Sequence, residues 1–211
     1  MYYNYIRFHS PFDFGASYNL TGFDMQIQNH DFAKIVPSLW FFIFQPLKIQ
    51  TSFPFLDRVS DSSFHGFFPM EPFYGGVLAF APLVAFAFFL ALKDVRRALR
   101  KQGVLGIASL SLCLAGMIIL YEALMVSITM RYVMDFAWLL SIAALLVILC
   151  LSSSMDTESH YRILQAVVIV LVFVGVAVSY LNLFSLDRYD PLITHNPYLY
   201  RLVESWFLVF R

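Results

Sequence analysis

No charged side chain interrupts residues 163–184, a run dominated by Val, Leu, Ile and Phe. At 1.5 Å per residue, a helix needs about 20 apolar residues to cross a hydrocarbon core of ~30 Å, and this run is long enough. Three further runs, 72–92, 103–127 and 136–154, meet the same requirement. In lipid the backbone must satisfy its own N–H and C=O groups, which a helix does within one segment. The expected fold class is therefore all-α integral membrane, with four transmembrane helices. Composition agrees, since 60% of residues are hydrophobic and 13% charged, against ~25% charged in a soluble domain. The 14 basic and 14 acidic residues balance, so no global field draws the chain to nucleic acid. Membrane lipid is the expected partner.

Orientation rests on the connection KDVRRALRKQG, which packs Lys93, Arg96, Arg97, Arg100 and Lys101 between the first two runs. Cations in so short a loop mark it as cytoplasmic. Alternation then places residues 1–71, the RYVMDF turn and the tail 185–211 outside, giving a multi-pass plasma-membrane protein with both termini extracytoplasmic. The expected organisation is an aromatic-rich outer segment at 1–71, a transmembrane domain at 72–184 and an outer tail at 185–211. About 70 residues would thus precede the first span with no signal-peptide pattern, which reads as the C-terminal part of a longer protein whose upstream helices are missing. The apolar stretch 35–47 is interrupted by Pro37 and Pro46 and too short to span, so it is expected on the membrane surface or in a re-entrant position. In the tail, Asn196 and Pro197 supply an N-cap and a first-turn proline for a helix through Phe210. Its polar stripe would carry Arg201, Glu204 and Ser205, with Leu202, Trp206 and Phe210 toward lipid.

Candidate chemistry gathers on the outer side. Glu122 lies in the second span near its outer end, where a carboxylate is partnered, protonated or turned to a polar cavity. Either it orients a polar headgroup or it snorkels from a shorter span. Arg131 and Asp135 stand i,i+4 and meet on one helix face if the third span starts before residue 136. The planar guanidinium fork suits a phosphate or pyrophosphate, and an ordinary interfacial anchor pair is the competing explanation. Arg7 and Arg58 are further phosphate candidates, and Asp13 reads as a turn or cap residue that could also supply a carboxylate. Asp187, Asp190 and His195 fall close together in DRYDPLITHNP, but turn chemistry explains them better than a divalent cation, and no cofactor is expected. Asn19–Leu20–Thr21 matches a glycosylation sequon, a short and unspecific signal. Cys113 and Cys150 fall in apolar runs and read as small hydrophobes.

The segment YNYIRFHSPFDFG followed by YNLT, the run FQPLKIQTSFPF and the later RYVMDF resemble segments of large bacterial polytopic glycosyltransferase-like proteins of the GT-C type, related to protein mannosyltransferases. His9 stands where that segment carries Gly. The resemblance touches about 40 residues. It implies an enzyme passing a sugar from a polyprenyl-phosphate donor to an acceptor on the outer face, with its catalytic carboxylate in a first outer loop for which this chain has no counterpart. The expected function is the lipid- and acceptor-facing C-terminal portion of such an enzyme, inactive alone. A transporter or flippase piece and a non-catalytic assembly subunit are the alternatives.

Overall fold

A computed structural model of the chain describes residues 1–13, 15, 32–59, 63–64, 66–67, 69, 71–125, 128–155, 157–186 and 191–208. Three helices carry the architecture: α5 (Leu105–Met125), α6 (Met130–Ser153) and α7 (Glu158–Asn182). At 1.5 Å per residue they are about 31, 36 and 37 Å long, and each is apolar enough to cross a membrane. α5 packs along α6, whereas α7 packs on residues 77–91. The third span thus begins six residues earlier than the apolar run alone indicates, because Arg131 and Asp135 join the helix.

The run 72–92 does not form one helix. Residues 72–76 are irregular, α3 (Val77–Phe80) makes a single turn, Ala81 leaves helical geometry at φ −134° and ψ 68°, and Pro82–Ala91 winds as a 3-10 helix. Pro82 has no N–H to donate and its ring clashes with the carbonyl four residues back, so the helix restarts at the proline. At about 2.0 Å rise the ten 3-10 residues cover roughly 20 Å, less than the hydrocarbon core. Among the described residues the long apolar helices therefore number three.

The five-cation connection is a helix as well. In α4 (Lys93–Lys101), Val95 and Leu99 turn inward while the cations stay in solvent. Gly103 ends it at φ +76°, where its N–H reaches the Arg100 carbonyl at 3.1 Å, as a left-handed C-terminal cap does. Gln102 donates to Ser153 Oγ at 2.6 Å, tying this cap to the end of α6.

The core is divided along the bundle. At the cation end, Phe86 and Leu90 of the 3-10 helix and Val95 and Leu99 of α4 pack on Ala143, Val147 and Cys150 of α6. The alanines let the 3-10 helix and α6 approach closely, a common device where helices meet in lipid. At the opposite end, Phe41, Phe42, Phe73 and Val77 pack on Ile119 of α5 and Val133 and Phe136 of α6. Phe41 and Phe42 belong to an apolar helical segment, Phe32–Phe44, with α2 (Ile35–Leu39) at its centre and a π-turn at Trp40–Phe44. This segment packs against α5, and the Phe42 ring meets Phe136 edge-on at 5.7 Å. Gly76 makes that packing fit, because a Cβ there would stand 2.7 Å from the Ile43 carbonyl.

A third cluster lies beyond α7. The strands β1 (Lys48–Ile49) and β2 (Leu56–Asp57) pair antiparallel, Lys48 opposite Asp57. Phe53 from their connection packs on Phe184 and on Tyr200 and Val203 of α9 (Pro197–Leu208), which follows α8 (Leu192–His195). The Asn196 side chain accepts the Leu199 N–H at 3.0 Å, the cap expected of Asn-Pro. Phe210 lies outside the described residues.

Candidate functional site

The end of the bundle opposite α4 gathers the charged side chains that helix packing has to accommodate. Thr129 is extended and precedes the first turn of α6, which carries Arg131 and Tyr132. Arg131 Nη2 donates to Glu71 Oε1 at 2.7 Å, and its guanidinium lies 5.9 Å from the Tyr132 ring centre. Glu71, just ahead of the irregular 72–76 stretch, is largely covered at 14% side-chain exposure, while Arg131 is 68% exposed. A covered carboxylate thus holds an open guanidinium in place. The i,i+4 partner expected from spacing, Asp135, is also exposed, but Arg131 spends its ion pair on Glu71. Sixty residues separate Glu71 from Arg131, and no periodicity in the sequence connects them.

Glu122 lies just under one turn before the end of α5. It is buried at 7% exposure, and its Oε2 finds no hydrogen-bond partner among the described residues. Glu122 and Asp135 act on each other electrostatically, and the Tyr132 hydroxyl lies within the field of Glu122, Arg131, Glu71 and Asp135. The Thr129 hydroxyl, also buried, has no partner among the described residues, although Thr129 occupies the N-cap position. Buried polar atoms in this state are uncommon and concentrate at sites that handle ligands or protons.

The other candidates fall elsewhere. Arg7 sits in α1 (Tyr2–Phe8), where it reaches the Tyr3 hydroxyl at 3.4 Å and lies over the Phe8 ring. Asp13 Oδ1 accepts the Gly15 N–H at 2.8 Å, which makes it a turn residue. His9 caps α1 with φ +56°, a left-handed conformation that glycine adopts more readily. Arg58 donates its backbone N–H to Asp57. His195 ends α8, whereas Asp187, Asp190 and Asn19–Leu20–Thr21 lie outside the described residues. Among the described residues no three His, Cys, Asp or Glu side chains cluster as metal ligands would. Cys113 is exposed and Cys150 buried, and both are free.

Beyond its bond to Glu71, the Arg131 guanidinium keeps N–H donors that a planar oxyanion could accept, and it is set against the carboxyls of Glu71, Glu122 and Asp135. No family model, curated protein or solved structure matches the chain.

Proposed function

We propose that this chain is the lipid-phosphate-binding part of a membrane glycosyltransferase-like protein that uses a polyprenyl-phosphate-linked sugar on the extracytoplasmic face. The observation that carries this reading is the Arg131 guanidinium, anchored by Glu71 and open to solvent at the end of a long apolar helix. A lipid phosphate presents its charge at this depth, at the boundary between hydrocarbon and water. The five cations of α4 lie at the other end, which the positive-inside rule assigns to the cytoplasm. In this reading the 3-10 helix with α3 completes a fourth crossing, roughly 26 Å if the two are collinear. The resemblance of YNYIRFHSPFDFG and RYVMDF supports the sugar, and the geometry supports the anion.

The test is retention of undecaprenyl phosphate by the chain in nanodiscs, followed by native mass spectrometry. Arg131→Ala should weaken retention at least about tenfold, the scale of one charge-assisted hydrogen bond. Arg131→Lys should weaken it less, since it keeps charge but loses the fork. Equal retention by wild type and Arg131→Ala would reduce Arg131 to a membrane anchor.

Transport is the second reading, and one observation favours it. The two interrupted apolar helices, Phe32–Phe44 and Val77–Ala91, pack on each other beside a buried carboxylate, as discontinuous helices do around transporter sites. Movement of a labelled polyprenyl phosphate across vesicles containing the chain, lost in Glu122→Gln, would select transport over transfer.

A further inference from the structure

A cavity of about 360 Å³ lies between the β1–β2 connection and α9, away from the Arg131 cluster. Thr51, Ser52, Phe53 and Phe55 line it from the connection, Glu204 and Phe207 from α9. We propose that this cavity binds the phosphoethanolamine headgroup of a membrane lipid, with the ammonium at Glu204 and the phosphate at Arg201.

Three features select that chemistry. The carboxylate of Glu204 in the lining favours a cation over an anion or a neutral ring. Phe53 and Phe207 stack on each other at 5.3 Å, so they form a closed apolar wall and offer no broad platform for a sugar. Phe55 stands edge-on to both rings and closes the corner of that wall. A water-poor wall strengthens any ion contact made beside it. The Thr51 and Ser52 hydroxyls can accept N–H hydrogen bonds, which a primary ammonium can donate and a quaternary one cannot.

Arg201 supplies the other half. It donates to Glu204 at 2.6 Å and is itself exposed, so a positive group stands next to the carboxylate that lines the cavity. A zwitterion with phosphate and ammonium a few bonds apart complements that pair, and a simple amine does not. Leu202 and Trp206 are exposed on the same helix at 41% and 57%, in the manner of a helix lying in a membrane interface. Zwitterionic headgroups occupy that level, and the cavity volume suits one headgroup.

The experiment uses the full chain in detergent with equimolar dioleoyl phosphatidylethanolamine, phosphatidylcholine and phosphatidylglycerol, and reads retained lipid by native mass spectrometry. Phosphatidylethanolamine should be retained over each of the others. Glu204→Gln should reduce that preference about tenfold, the loss of one charge-assisted contact. Millimolar phosphoethanolamine should displace the bound lipid from the unaltered chain and glycerol phosphate should not, a result that depends on no variant folding. Equal retention of the three lipids, a preference for phosphatidylcholine, or displacement by both soluble phosphates alike would overturn the proposal.

Discussion

Lys48 and Asp57 face each other across a ladder only two residues long, their side chains 2.6 Å apart. The Lys48 ammonium hydrogen-bonded to Asp57 holds that carboxyl below its ordinary value of 3.8, assisted by the Arg58 N–H and charge. A carboxyl depressed on folding adds stability that is present above its unfolded pKa and is lost as pH falls through the folded one. Both side chains are substantially exposed, so solvent limits the contribution to ~1 kcal/mol or less. The protection factor of the Gln50 amide, which bonds to Phe55 across the hairpin, should therefore fall below about pH 4 in the wild type, once the intrinsic pH dependence of exchange is divided out. In Asp57→Asn that protection factor should already be lower at neutral pH and should not fall further with acid. The same residue-level logic separates the two acidic candidates of the bundle. Asp135 is an exposed neighbour, while Glu122 is the covered one whose surroundings constrain its chemistry.

At the scale of elements, α7 meets the rest of the bundle along a narrow seam. Leu164 and Gly175 are its buried residues, and most of its length is exposed, as a helix facing lipid would be. Gly175 sits against the break in the 72–92 run, where a Cβ would stand 2.8 Å from the Phe80 carbonyl and 3.3 Å from Pro82 Cδ. Gly175→Val should force α7 away from the break and destabilise the fold by about 1–3 kcal/mol, the range for overpacking. Gly116→Ala is the matched control, because nothing lies within 4 Å of that position and alanine favours helix. Thermal unfolding in detergent should show a lowered midpoint for the first and an unchanged or raised one for the second. The break itself was half legible. Pro82 in the sequence signals an interruption, but the choice of a ten-residue 3-10 helix after it depends on packing against α6.

For the whole molecule the two ends of the bundle differ in charge, with the α4 cations at one and Glu71, Glu122 and Asp135 at the other. The positive-inside rule then assigns Gln102 to the cytoplasm and Thr194 to the outside. In a background lacking Cys113 and Cys150, a cysteine at Thr194 should react with a membrane-impermeant thiol reagent in intact cells, and one at Gln102 should not. The reverse pattern would invert the molecule and place the Arg131 cluster where no outward-facing lipid phosphate could meet it. Unequal labelling would also test the α9 cavity, which shares its end with the close of α7 through the Phe53–Phe184 contact at 5.3 Å.

By itself the sequence determined the parts that depend on local chemistry. Long apolar runs require helices because lipid offers the backbone no other hydrogen-bond partners, and α5, α6 and α7 follow from that requirement. Asn196 and Pro197 announced the start of α9 because a cap is a contact three residues long. The singling out of Glu122, Arg131 and Asp135 was likewise legible, since charge beside an apolar run is conspicuous whatever the fold. Only the tertiary structure decided that Glu71 holds Arg131, that Phe41 and Phe42 enter the core, and that Phe53, Phe55 and Glu204 enclose a cavity. Each of these joins residues far apart in the chain. Such contacts are chosen by the packing of whole elements, which no spacing within one segment encodes.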